Sequence, residues 1–366
     1  MPQLQADMNS FVSDWNDLQA EPNSTTQQTQ VINDANNVAQ NLNSLSNSLQ
    51  TVSDQITTDI GSGIAQMDSD LSQIDSLNQE IGVLSSNGST QLVGSLEDTR
   101  NALLSDLSTY VTISVQPEAN NQIQVTTPSG YTLVGSAALP NQFTYSSSGT
   151  ITDSSGTDAT AQLVGGQIQG LMNLIGTDSP NSTTPGTDTI TQLQAQLDSI
   201  ANMFTETTVT PPGVQSFADA YAGGGSSALF TGSTAASIAV TPALLNGTSS
   251  LNTSTIAAAY TALTAGGRTD LGGSDGIPEA AGGYTYAGYV SAVFTALGSD
   301  INAVKSNQTQ ASSLQTAMQT QYSNATGVNV DDQVVQLSAI QNIYESSANV
   351  VQVIQEMFSS LETAIQ

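Results

Sequence analysis

Apolar residues recur in alternating steps of three and four over two long stretches, one towards each end of the chain. From Val31 the series runs Ala35, Val38, Leu42, Leu45, Leu49, Val52 and Ile56. It slips by a step of four at Ile60 and Ile64, then resumes through Met67, Leu71, Ile74 and Ile81. Near the end it returns as Ile340, Tyr344, Val351, Ile354, Phe358, Leu361 and Ile365. Such steps keep one edge of a helix turned to one partner over many turns. The additional step of four is a stutter, which unwinds a supercoil locally without ending it. A chain patterned this way is laid out to associate along its length and not around a cleft.

The same reading places the other elements. A short helix over 3–20 carries Leu4, Met8, Phe11, Val12, Trp15 and Leu18 on one side, and Glu21 to Ser24, with Pro22, breaks it. Thr25 or Thr26 caps the next helix, which runs to about Leu84. Gly61 and Gly63 each cost about 1 kcal/mol relative to Ala in a helix interior, so a kink is placed there. A helix over 91–109 follows the Asn87-Gly88 turn.

The period then changes to two at Val111, Ile113 and Val115. Ile123 and Val125, then Tyr131 and Leu133, complete a hairpin or small meander, with further strands at Phe143, Tyr145 and Ile151. Helices resume with Leu163, Ile168, Leu171, Leu174 and Ile175. After the linker at 176–187 come Ile190, Leu193, Leu197, Ile200 and Phe204. Residues 206–285 are rich in Gly, Ala, Ser and Thr, with one strand at Ile238 and Val240 and a short helix from Ile256 to Leu263. A long helix carries Tyr289, Val293, Leu297, Ile301, Val304 and Met318 before the chain frays at 325–327.

The fold class read from this order is mainly α with a β part (α+β): an elongated helical-bundle rod with a β-hairpin region and a small β/loop domain. The rod takes residues 1–109, 161–205 and 286–326. The β-hairpin region is 110–160, the β/loop domain 206–285 and a terminal docking helix 327–366. The seam over 31–81 is expected to pack inside the subunit, against the helices at 163–204 and 289–323. The seam over 340–365 is expected to pack between subunits.

Composition narrows the function. The 366 residues are 38% hydrophobic, enough for two or three domains with real cores. Thirty-one acidic residues face three basic ones, Arg100, Arg268 and Lys305, for a formal charge of −28. Three cations cannot build the basic face that a DNA or RNA binder needs to displace counterions, and an anionic membrane surface repels such a chain. Charged residues are only 9% of the total, so polarity comes from Ser, Thr, Asn and Gln and not from the dense charge of a disordered acidic tail. Two readings of the charge stay open. One is a secreted surface protein with a polar exterior. The other is a habitat of low pH, where protonated carboxyls would let copies approach.

Without cysteine or histidine, disulfides, thiolate metal sites, cysteine nucleophiles, His-dependent triads and nearly all zinc sites are excluded. No apolar run approaches a membrane span. The first residues, from Met1 to Phe11, lack the basic start and apolar core of a secretory signal. Cytoplasmic residence, export without a cleaved signal, or a missing start are the three readings of that.

Candidate chemistry is thin. Asp68 with Asp70, and Asp331 with Asp332, are adjacent carboxylates. Acid–base catalysis needs two carboxyls in contrasting environments around a cleft, and these are read as lying on helix exteriors or at a helix start. Asp270 to Glu279, with three glycines, lacks the ligand spacing of an EF-hand and reads as loop. Asn-x-Ser/Thr triplets at Asn23, Asn87, Asn181, Asn246, Asn252, Asn307 and Asn324 are what this composition gives by chance. No catalytic, cofactor-binding or metal-ligating residue is assigned.

The most specific string is Gly327, Val328, Asn329, Val330, Asp331 and Asp332 leading into Gln341, Tyr344 and Ala348. Together with its flanks it resembles the C-terminal signature of bacterial flagellar axial proteins, and within them the family of hook-associated protein 1, the first of the two hook–filament junction proteins. The run Leu96 to Leu104 around Arg100, the turn Gly165-Gly166 into a helix, and Ala228 to Gly232 before Ile238 to Val240 resemble segments of that family in the same order. The usual Asn-rich starting helix is not present before Met1, so the chain looks N-terminally truncated.

The resemblance implies a structural protein of the flagellum, not an enzyme. It would form the hook–filament junction and be required for filament assembly. It would be extracellular, exported unfolded through the flagellar type III channel without a cleaved signal peptide. The implied partners are other copies of itself, the hook protein, the second junction protein and an export chaperone, with no nucleic acid, no membrane insertion and no cofactor. The implied subunit interface is Ile340, Tyr344, Val351, Ile354, Phe358, Leu361 and Ile365. Alternatives are the second junction protein or a flagellin, and, from another class, a secreted adhesin or surface-layer protein.

Overall fold

The long seam forms a single helix. In the computed structural model, which describes residues 2–87, 90–135, 142–146, 149–175, 189–207, 214–225, 227–269, 271, 277–278, 280–324, 338, 341–347, 349–350 and 352–354, α1 (Pro2–Ala20) turns at Pro22 into α2 (Thr25–Ser86). The cap is Ser24, one residue before the predicted threonines: its Oγ accepts the Gln27 N–H at 3.4 Å. From Val31 to Ile81 every seam position is buried except Val52, which is half-buried. α2 continues unbroken through Gly61 and Gly63. At Gly63 a Cβ would sit 3.5 Å from the Tyr110 ring and 3.7 Å from Ile168, ordinary contact distances, so neither neighbour requires the glycine.

The chain divides into two compact units. One comprises Met1–Val52, Ile190–Ile301 and Ile354–Gln366; the other comprises Ser53–Thr189 and Asn302–Val353. In the first, Val31 to Leu49 share an apolar core with Leu193, Leu197 and Ile200 of α5 (Thr189–Asn202) and with Tyr289, Val290, Val293 and Leu297 of α9 (Tyr286–Asn324). Each such buried side chain contributes about 1.5–3 kcal/mol. That burial, and not the weak propensity of a Ser/Thr/Asn-rich helix, holds these segments helical. The intramolecular packing expected of this part of the seam is therefore found.

An aromatic cluster extends that core. Phe11 meets Trp15, Phe204, Phe217 and Phe230 edge-on at 5.9–6.1 Å, a preferred geometry for ring pairs. It gathers α6 (Phe217–Ala222), the paired strands β6 (Phe230–Thr231) and β7 (Ala239–Val240), α7 (Pro242–Leu245) and α8 (Ile256–Thr264). The sequence reading found β7 and α8 but missed β6, α6 and α7. A two-residue strand, Phe230 opposite Val240, is too short to show a period. Arg268, fully buried, closes this region. It pairs with Glu206, donates to the Tyr286 hydroxyl at 2.9 Å and lies 5.4 Å from that ring.

In the second unit α3 (Thr90–Tyr110) precedes an antiparallel meander β1 (Ser114–Pro117), β2 (Ile123–Thr126) and β3 (Thr132–Val134), with a bulge in β2 at Val125/Thr126. Val111 and Ile113, read as strand residues, lie before β1. Both are buried, Val111 completely, so burial and not pairing explains their apolar alternation. A hairpin, β4 (Phe143–Tyr145) and β5 (Ile151–Asp153), and α4 (Gly166–Ile175) follow. The described fold is thus mainly helical with small antiparallel sheets, the predicted α+β class.

Candidate assembly interface

The family-like motifs prove to be folding devices. Asn78 stands where the seam between Ile74 and Ile81 needs a residue, and it is 1% exposed. Its Oδ1 accepts the Ile123 N–H at 2.8 Å and an Arg100 N–H at 3.1 Å, while its Nδ2 donates to the Ile123 carbonyl at 2.9 Å. Asn78 therefore acts towards β2 as a neighbouring strand would, and Arg100 also donates to the Asn121 carbonyl at 2.9 Å. The guanidinium fork suits this double role, because it presents several donors in fixed geometry. Asn121 itself has a positive φ of 59°, tolerated by Asn better than by most residues.

The Gly165-Gly166 turn is set by space as well as by backbone angle. Both have positive φ, 76° and 67°. A Cβ on Gly166 would lie 2.5 Å from the Tyr110 carbonyl group.

The candidate carboxylates do not converge. Asp70 is 1% exposed, not on a helix exterior as read from sequence, and Gln66 donates to it at 2.9 Å. Burial raises its pKa, and Asp106 raises it further. Asp68 instead accepts the Phe143 N–H at 3.0–3.1 Å, fixing β4 to α2, and burial pushes it up to about 6. Two positions apart on a helix, the pair serves two different neighbours and frames no cleft. Asp331 and Asp332 lie outside the described residues, as do Asp270, residues 272–276 and Glu279 of the candidate loop. No group of three or more metal-ligating side chains occurs among the described residues.

At the C-terminal end the described residues 341–347 are helical. Their inward face is polar. Ser338, Asn342, Ser346, Val350 and Ile354 are buried at steps of four. Ser338 Oγ lies 3.2 Å from Ser105 Oγ, and Asn342 Nδ2 donates to the Ser108 carbonyl at 2.9 Å, both on α3. Beside α4, a Cβ on Gly170 would come within 3.0 Å of the Ser346 Cβ.

Of the predicted interface residues, Tyr344 is half-buried and Ile354 is buried. Ile340, Val351, Phe358, Leu361 and Ile365 lie outside the described residues. Of the signature, Gln341 is exposed on the helix, and Gly327, Val328, Asn329, Asp331, Asp332 and Ala348 also lie outside. Ile343 is 48% exposed. The Ser338/Asn342/Ser346 stripe was missed from sequence because the apolar seam beside it dominates the period. Its signal, small polar residues every four positions, was present.

Three comparisons bear on this geometry. The family model described as the flagellar hook-associated protein FlgK helical domain matches residues 2–209. The model described as the flagellar basal body rod FlgEFG protein C-terminal matches residues 319–364. Among solved structures, the flagellar hook junction protein FlgK from Burkholderia pseudomallei is similar at 18% identity with a TM-score of 0.49. That match covers 63% of this chain and 40% of the other, so this chain aligns with well under half of that protein. None of the curated proteins searched matches.

Proposed function

The chain belongs to the family of flagellar hook-associated protein FlgK, whose helical-domain model spans more than half of it, and on that footing we propose that it is a structural subunit of the bacterial flagellum. In this reading it forms the junction between hook and filament and is required for filament assembly. The observation that carries the proposal is the pairing of two matches: the FlgK helical domain at 2–209 and a flagellar axial C-terminal segment at 319–364.

The mechanism is mechanical. Helices packed along the α2 seam hold each unit together, and the terminal segment buries apolar residues between subunits. Its partners are further copies of itself, the hook protein and the second junction protein, and an export chaperone holds it before assembly. It works outside the cell in the flagellum, after type III export. The functional division is the one read from sequence, with rod segments at 1–109, 161–205 and 286–326, β-rich parts at 110–160 and 206–285, and the docking segment at 327–366. Chemistry plays no part, and no catalytic or cofactor role is assigned.

Electron microscopy of a deletion strain tests this. Intact hooks without filaments, with flagellin lost to the medium, are the expected result. Normal filaments would overturn the junction role and favour an adhesin.

A further inference from the structure

Inside the second unit the terminal segment turns the stripe Ser338, Asn342, Ser346 and Val350 inward. Ser338 pairs with Ser105 and, one turn on, Asn342 with Ser108, so the segment runs parallel to α3. An even step of four leaves the height of such a segment open. Moved along α3 by one turn, the stripe falls back on its own spacing. The serines do not oppose that slip. A serine hydroxyl can turn back onto the carbonyl four residues earlier in its own helix, and Ser346 Oγ is buried with no hydrogen-bond partner among the described residues.

Asn342 differs. It is 4% exposed, and its Nδ2 donates to the Ser108 carbonyl at 2.9 Å. Ser108 lies in the last turn of α3, where carbonyls have no partner within the helix. The Leu107 carbonyl takes the Val111 N–H at 3.2 Å, and Asn342 serves the next one from 234 residues away. Neither slipped position offers the same. In the place of Ser338, Asn342 would face Ser105, whose carbonyl lies further inside the helix and already takes the Ser108 hydroxyl at 2.7 Å. In the place of Ser346 it would meet Gly170 of α4. There a Cβ on the glycine would stand 3.0 Å from the serine Cβ and 3.3 Å from its Oγ, which leaves no room for a longer side chain. A buried amide without a partner disfavours either slip by roughly 5- to 150-fold. One buried Asn fixes the register of a coiled coil in the same way.

We propose that Asn342 is a positioning residue for assembly. It holds the terminal helix at one height on α3 and so sets where Ile343, 48% exposed, stands for a neighbouring subunit. This rests on the assembly reading given above. A slip of one turn displaces Ile343 by about 5 Å, and close-packed contacts do not absorb such a shift.

The chain has no cysteine, so nitroxide labels attach only at introduced thiols. Thr99→Cys on α3 and Asn349→Cys on the terminal segment, both at exposed positions, report their separation by pulsed electron spin resonance in the purified full chain. One narrow distance is expected. Adding Asn342→Ser makes the stripe uniform, and the distance should split or shift by about 5 Å while the urea midpoint changes little. In cells, Asn342→Ser should leave the amount of subunit unchanged and sharply reduce filament number. A merely structural role would lower the midpoint and keep the single distance, and that result overturns the proposal. Filaments at wild-type number beside a shifted distance overturn it as well. Should Asn342→Ser fail to fold, Asn342→Leu, which stays apolar and lacks the amide, is read by the same outcomes. The distance is measured without cells, so it decides the register role whatever the deletion strain shows, and a failed junction reading is seen separately.

Discussion

At the scale of single residues, positions that look interchangeable in sequence hold distinct duties. Asn78 is one polar residue in a chain full of them, yet it ties α2 to β2 and to Arg100 through three hydrogen bonds. Asn78→Ala removes the partner of the buried Ile123 N–H and one acceptor of Arg100. We expect a loss of about 2–4 kcal/mol in unfolding free energy, read by denaturant titration. Gly166 is held by its positive φ and by the nearby Tyr110 carbonyl. Gly166→Ala must strain the backbone and displace it, with an expected cost of at least ~2 kcal/mol in the same measurement. Gly61, with open space around it, is the control: Gly61→Ala in a helix interior should stabilise by about 0.5–1 kcal/mol.

At the scale of elements, the two seams differ in what they meet. The seam of α2 is buried within the subunit along nearly its whole length, and its hydrophobic burial is already spent on folding. The terminal segment turns Asn342 and Ser346 inward and leaves Ile343 largely in solvent. The Asn342 bond to the Ser108 carbonyl contributes about 1 kcal/mol. In the assembly reading, Ile343→Asp should change subunit stability by less than ~0.5 kcal/mol while abolishing incorporation into filaments. Ile354→Asp, at a buried position, should abolish incorporation too but lower stability as well, because it places a charge in a desolvated site. Motility and filament counts with purified-subunit melting curves separate the two, and a normally swimming Ile343→Asp strain would refute the docking role of that face.

At the scale of the whole molecule, charge is the dominant variable. A formal charge of −28 with a sequence pI near 4.1 makes copies repel at neutral pH and less so as carboxyls protonate. Self-association should rise as pH falls towards 4, and light scattering unchanged between neutral and acidic buffer would contradict this. The buried carboxyls pull the same way. Asp68, Asp70 and Asp75 are all raised, chiefly by burial. For each, folding favours the protonated form, and stability declines as pH rises past the ordinary carboxylate range. Asp153 pulls the other way: hydrogen bonds from Ser155, Tyr131 and the Thr157 N–H hold it down at about 2, so its contribution to folding is present above the ordinary carboxylate range and lost as pH falls towards 2.

The sequence by itself determined the long helices and their limits to within a few residues, because a period of three and four over many turns has one structural solution, whereas α6 and α7 are too short to show one. It also determined the exclusion of cysteine and histidine chemistry, and the family resemblance, because the signature from Gly327 to Ala348 and the segments around Arg100 and Gly165-Gly166 are strings. It could not reveal β6, which pairs over two residues, nor that Asp70 is buried, nor which face of 341–347 turns inward. Those depend on what lies opposite. Whether Asn78 is filler or a strand mimic is settled only when Ile123 is brought beside it. Periodicity is a property of one segment, whereas burial and the pairing of polar groups belong to two.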